Sequence, residues 1–200
     1  MLRRYGLRDD QWERFKDLLP GREATVGVTA KDNRLFIDAV LYRYRAGIPW
    51  RDLPARFGDF RVIHTRFSRW AKSGVWARVF RYLAKDADFM LTPGQAHDLN
   101  GADALLADVA ADTVIADKAF DADERVIQPL MQAGKIIVIP SKSNRASPRS
   151  CDKDLYKARH LIENFFAKLK QFRAIATRYD KRARNFLAAI HLASAVIWLN

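Results

Sequence analysis

Two hundred residues with 49% apolar side chains can bury one moderate core or two small ones, which excludes a disordered chain. The single Cys151 excludes an internal disulfide and a cysteine-rich zinc site, and His64, His97, His160 and His191 show no ligand spacing. The net charge of +12 is divided unevenly, with 19 basic and 9 acidic side chains over residues 1–85 (+10), 3 and 10 over 86–140 (−7), and 13 and 4 over 141–200 (+9).

Two basic flanks therefore enclose an acidic middle. The flanks suit a polyanionic partner, because Lys and Arg that neutralise phosphates release counterions. Nucleic acid fits better than a membrane surface, since the arginines interleave with Trp, Phe and Tyr over helical stretches. The acidic middle suits a bound divalent metal, or equally the soluble surface of short helices.

The predicted elements up to about Lys85 are all helical. Asp9 or Asp10 can cap a first helix through Trp12, Phe15, Leu18 and Leu19, ended by Pro20 and Gly21. No apolar run follows Met1, so no signal peptide is expected. An amphipathic helix follows from about Lys31 to Ala46, with Leu35, Ile37, Val40, Leu41 and Tyr44 as its buried stripe and Gly47 and Pro49 as its stop. A short helix near Trp50–Phe57, a turn at Gly58 and a helix from about Phe60 to Ser73 complete a helix-turn-helix pattern. In its last helix Arg61, His64, Thr65, Ser68 and Lys72 lie near one another while Val62, Phe67 and Trp70 can pack inward. Such a helix can enter a major groove, with Arg61, Thr65, Ser68 or Arg69 nearest the bases and Lys72 close by. The plainer alternative is a basic helix on a small bundle that touches nothing.

From Asp86 onward strands and helices alternate, which makes the chain as a whole α+β or α/β. A short apolar piece, Phe89–Leu91, leads through Thr92, Pro93 and Gly94 to a helix at about Gly101–Ala110, capped by Asn100. Thr113–Ala116 reads as a brief strand ending at Asp117. A helix at about Ala122–Ala133, kinked or shortened by Pro129 and closed by Gly134, separates it from a second strand, Ile136–Ile139. Strand, helix, strand implies a parallel pair with a right-handed crossover, and Asp117 stands at the carboxyl end where ligand crevices form. The run SKSNRASPRS, 141–150, is a basic loop that DNA could order, or a plain flexible connector.

Asp152 or Asp154 can cap the helix that follows, in which Tyr156, Arg159, Glu163 and Lys170 recur at three, four and seven residues. At about 100° per residue they share an arc of roughly 60°. Leu161, Ile162, Phe165, Phe166 and Leu169 fill an adjacent arc of roughly 140°, the pattern of a helix laid against a core, which would leave Glu163 at a core edge. Periodicity alone fits a solvated salt-bridge face as well. The apolar tail Phe186–Leu199 is interrupted by His191 and is shorter than the roughly 20 residues of a bilayer span, so it reads as a buried terminal helix and the chain as cytoplasmic.

The spacing of Tyr156, Arg159, Glu163 and Lys170 resembles the signature helix of bacterial DDE transposases with an RNase H-like core. The wording YKARHLIENFFAKLKQFRAIATRYDK is similar to the insertion-sequence-five family in particular. TVIADKAFDAD resembles the strand carrying that family's second catalytic Asp, and LTPGQAHDLNGADALL and GIPWRDLPARFGDFRVIHTRFSRWAKSGVW also resemble family blocks, in family order. The resemblance implies a helical DNA-binding domain over 1–85 and an RNase H-like domain over 86–200 that ends in helices. It implies Asp117 and Glu163 as the second and third catalytic, metal-holding carboxylates, Arg159 and Lys170 facing phosphates, and Tyr156 positioning the backbone or the glutamate. Its cofactor is magnesium, two ions in the intact family, and its partner is DNA at the element's terminal inverted repeats, bound by a homo-oligomer. The first carboxylate has no counterpart: FRYLAKDADF passes directly into MLTPGQAHDL, as if the opening strands were deleted and the RNase H-like domain truncated. The expectation is a transposase that binds DNA with little or no strand transfer; the alternatives are a non-catalytic DNA-binding regulator or remnant, and an unrelated nuclease to which Asp86, Asp88 or Asp98 adds a third acid.

Overall fold

The computed structural model describes residues 5–21, 32–84, 87, 89–92, 96–106 and 109–200, with residue 98 described by its backbone alone. The chain divides into two compact units, one of residues 1–85 together with 165–200 and the other of residues 86–164. The final 36 residues thus pack with the amino-terminal helices, whereas the sequence reading grouped them with residues 86–164.

The first unit is entirely helical among the described residues. Helix α1, Asp9–Phe15, is followed by α2, Asn33–Ala46, where the Asp32 carboxylate accepts from the Leu35 amide at 2.8 Å and satisfies an otherwise orphaned first-turn donor. Lys31, the expected first residue of α2, lies outside the described residues. Helix α2 ends at Gly47, whose φ of +69° is left-handed, and a Cβ there would stand 2.7 Å from Cβ of Arg173. Glycine is thus required twice over, by the turn and by the close approach.

Helix α3, Phe60–Lys72, is capped by Asp59 and follows a tight turn at Ala55–Phe57. Its buried residues are Ile63 and Phe67, four apart on one face. Val62, expected inward, is 64% exposed: it lies about 100° round the helix from Ile63, on the rim of a shallow groove with Phe36 and Phe57. Helix α4, Val75–Leu83, buries Trp76 and Phe80, and rings of Phe36, Phe67, Trp70 and Trp76 contact one another at centroid distances of 5.1–6.2 Å.

The carboxyl-terminal helices complete this core. Helix α9, Arg173–Ala176, packs on α2, and α10, Ala183–Trp198, packs on α4 and α3, burying every residue from Ala188 to Ile197. The expected buried terminal helix is therefore present, and no described helix is long and apolar enough to cross a membrane. Between α9 and α10 the Asp180 carboxylate is buried, accepting from Arg43 Nη1 and from the Tyr44 hydroxyl, both at 2.8 Å. The Arg43 guanidinium also lies 4.5 Å from the Tyr44 ring centroid and 4.8 Å from that of Trp50. This buried ion pair ties α2 to the segment between α9 and α10.

The second unit is small. After α5, Ala102–Leu106, strand β1, Thr113–Ile115, pairs in parallel with β2, Ile136–Val138, in the register Thr113 to Ile136 and Ile115 to Val138. The crossover is a π-helical turn, Asp123–Ile127, running into α6, Gln128–Gln132. Pro129 is the second residue of α6, so the wide turn sits where its ring would meet the carbonyl one turn back. Val126, Ile127, Leu130, Ile139 and Ala102 form the core, flanked by half-buried Val114, Phe120 and Ile137. The expected strand, crossover, strand arrangement is present as a two-stranded parallel sheet within a mostly helical α+β chain.

Candidate active site

Asp117 stands two residues beyond β1 and caps the turn Lys118–Phe120, its Oδ1 accepting from the Ala119 amide at 2.8 Å. This is why the acid follows the strand: the chain must turn there, and a short carboxylate secures the turn. Oδ2 is left facing Arg159, whose Nη2 lies 3.5 Å away. The same guanidinium donates from Nη1 to Glu163 Oε1 at 2.7 Å. One cation thus joins the two acids that the sequence singled out from distant positions.

The expected single helix over Tyr156–Lys170 is two helices. Helix α7, Lys153–Lys157, is capped by Asp152, and α8 runs His160–Lys170 after a turn at Ala158–Arg159. Arg159 therefore projects from a turn, while Glu163 lies in the first turn of α8, four residues on. Tyr156 is half-buried at the end of α7. Lys170 is exposed at the end of α8 and belongs to the other compact unit. The apolar arc also departs from expectation: Leu161, Ile162 and Phe166 are 64%, 47% and 46% exposed, and of the five only Leu169 is buried. A two-stranded sheet is too narrow to cover Leu161 and Ile162 as a broader one would.

Two carboxylates with hard oxygen donors suit one magnesium-like ion whose shell is completed by water. Among the described residues no group of three or more His, Cys, Asp or Glu side chains is placed to hold a metal. Asp86 and Asp88, and the side chain of Asp98, lie outside the described residues.

Sequence reading missed a second cluster in the same unit. Asp121, 4% exposed, accepts from Arg145 through both oxygens at 3.0 Å, from the Lys142 amide at 2.8 Å, and from Arg149. Asp123 accepts from Arg145 at 2.6 Å and Arg149 at 2.8 Å. Burial pushes the Asp121 carboxyl up, but the bonds from Arg145, the Lys142 amide and Arg149 outweigh it and hold the pKa at about 2. The loop 141–150 is thus tied down by two acids rather than being a free connector. These partners lie 21–28 residues apart, a separation that no local pattern reveals.

On α3, Arg61, Thr65, Arg69 and Lys72 are all exposed and share an arc of about 80°. Ser68 is half-buried and accepts from Asn185 Nδ2 of α10 at 3.0 Å, so it helps seat the helix. His64 stacks on Trp50 with ring centroids 5.1 Å apart, and burial pushes its pKa down.

Two family models cover most of the chain. Residues 7–80 match "Putative transposase of IS4/5 family (DUF4096)" and residues 87–198 match "Transposase DDE domain". Among relatives, the "Putative transposase for insertion sequence element IS6501" of Brucella ovis is 42% identical over 54% of this chain and 84% of its own length. "Uncharacterized protein y4sN" of Sinorhizobium fredii is 46% identical over 42% of this chain, and the "Insertion element IS402 uncharacterized 16.2 kDa protein" of Burkholderia cepacia is 32% identical over 38%. The chain spans 66% and 55% of the lengths of those two proteins. No solved structure matches. With the DDE model covering 112 of its 200 residues, the chain belongs to the family of transposases with a DDE domain.

Proposed function

We propose that this chain is an insertion-sequence transposase that binds the terminal inverted repeats of its element and carries an incomplete strand-transfer site. The observation that carries the reading is the meeting of Asp117 and Glu163 at one guanidinium, with no third acid among the described residues to complete a metal-holding set. In the family, three carboxylates hold the metal; here the first strand of the RNase H-like sheet, with its Asp, is taken to be deleted between FRYLAKDADF and MLTPGQAHDL. Asp117 and Glu163 would hold magnesium, which when bound neutralises phosphate charge and activates the attacking oxygen. Beside it Arg159 would supply a fork for a phosphate and Tyr156 a hydroxyl, while the family resemblance assigns Lys170 the role of a phosphate-facing cation.

DNA recognition is assigned to α3 as the second helix of a helix-turn-helix. Its exposed Arg61, Thr65, Arg69 and Lys72 form one polar face, presented by a helix whose opposite side is fixed in the aromatic core. Ser68 serves that fixation, and the protein acts as a homo-oligomer on DNA.

The test uses the purified full chain and a labelled duplex from the DNA flanking its gene. A gel shift is expected that weakens with salt and with Arg61→Ala or Arg69→Ala, without magnesium-dependent nicking. Nicking that disappears in Asp117→Ala would show a complete site and overturn the impairment. Failure to bind the flanking DNA more tightly than random duplex would overturn the recognition role. Sequence-specific binding without cleavage also fits a regulator that occupies the element's ends, the second reading.

A further inference from the structure

We propose that the exposed basic segment between α9 and α10, residues 178–184, is a second DNA contact that grips phosphates beside the groove entered by α3. The inference rests on the assignment of α3 to DNA. The segment carries Arg178, Lys181, Arg182 and Arg184, all exposed, against one acid, Asp180, which is buried and neutralised by Arg43. Among the described residues none of the four cations forms an ion pair. Asn185, the first buried residue of α10, donates to Ser68 of α3 at 3.0 Å, which brings the segment to the edge of that helix. Burial pushes the His64 pKa down, and Arg182 acts in the same direction, so its guanidinium is within electrostatic range of α3. Ser68 and His64 lie about 20° and 60° round α3 from Arg61, on the side away from Arg69. The segment thus extends the polar face of α3 at the border where that helix turns towards the core.

The fold alone would choose other residues at these positions. Arg178 holds a left-handed φ of +48° in the turn that ends α9, a conformation that favours glycine, with its guanidinium 5.4 Å from the Phe186 ring centroid. Lys181, Arg182 and Arg184 crowd the amino end of α10, where the helix dipole is positive and the first turn holds no acid. These cations repel one another as well as the dipole, and a phosphate backbone laid along them relieves both repulsions.

The contact is tested by fluorescence anisotropy over a salt series, with the full chain, a duplex from the DNA flanking its gene and a random duplex of equal length. Arg182→Gln should weaken binding to both duplexes alike, by about fivefold at low salt, and lower the slope of log affinity against log salt by about 1. Arg182→Lys should restore both. Arg14→Gln removes the same charge from α1, which meets Asn200 at the far end of α10 through Gln11, and should keep the native affinity. Arg178→Gly should also weaken both duplexes while raising the melting temperature, because glycine relieves the left-handed turn. If Arg182→Gln or Arg178→Gly binds no more weakly than Arg14→Gln, the second contact is overturned. It is equally overturned if affinity and melting temperature fall together, since the segment then serves the fold. Where these variants match the control while Arg69→Ala still weakens the flanking duplex, only this inference fails. Native affinity in Arg69→Ala removes the assignment of α3 to DNA, and this inference with it.

Discussion

The two units reach stability by different means. The helical unit buries large aromatic side chains, among them Trp76, Tyr44, Phe67 and Phe80 at 1% exposure or less, and encloses the Arg43–Asp180 ion pair within them. The strand-bearing unit has a modest core of small and branched aliphatic residues around a two-stranded sheet, and its basic loop is held by Asp121 and Asp123. One unit is an apolar core with a charge pair inside it; the other depends on charges arrayed beside a thin core. The difference teaches that the candidate catalytic acids sit on the less deeply buried part, where a change of cation or pH reaches the structure most directly.

The comparison breaks most sharply at Asp180. Replacing it with Ala strands the Arg43 guanidinium inside the helical unit, and a loss of about 3–5 kcal/mol is expected in chemical denaturation, with the transition of the other unit unmoved. Next comes Asp121→Asn, which weakens four bonds at once and should cost about 2–3 kcal/mol, seen as faster proteolysis within 141–150. The same residue sets a pH window. Because its folded pKa, about 2, lies below the ordinary value of 3.8, its contribution is fully present above pH 4 and fades as pH falls through 2. Asp121→Asn should remove that acid sensitivity, measured by thermal melts between pH 5 and pH 2.

Gly47→Ala is a smaller test of the helical unit. A left-handed φ and a methyl 2.7 Å from Arg173 Cβ should together cost about 1–2 kcal/mol, read as a lowered melting temperature. The smallest effect is expected for Ile162→Lys. An exposed position tolerates the change within about 0.5 kcal/mol, whereas a loss of several times that would mean the apolar face of α8 is covered after all.

Much of this was legible in the sequence because it was local. The stop of α2 at Gly47, the capping carboxylate Asp152, and the parallel strand pair around Pro129 all follow from neighbours within a turn or two. Asp117 was legible as a strand-end acid, and the three- and four-residue spacings marked Arg159 and Glu163. What spacing concealed was the break at Ala158–Arg159, which leaves the four signature residues off one uninterrupted helix. It also concealed pairings over long separations. Arg43 with Asp180, and Asp121 with Arg149, are 137 and 28 residues apart, and a charge's partner at that range is fixed by the fold rather than by pattern. The outward turn of Leu161 and Ile162 escaped for a related reason: an amphipathic stripe marks a face able to be buried, and how much sheet there is to bury it is a property of other segments.

The return of α10 to the amino-terminal helices has a consequence for synthesis on the ribosome. Ser68 on α3 is made 117 residues before its partner Asn185 on α10, the helix that packs on α3 and α4. Any product that stops within residues 86–164 carries the basic face of α3 on an unsealed bundle, vulnerable to proteases. Completion of the helical unit is thereby made conditional on translation through the second unit, so that prematurely ended copies would be cleared.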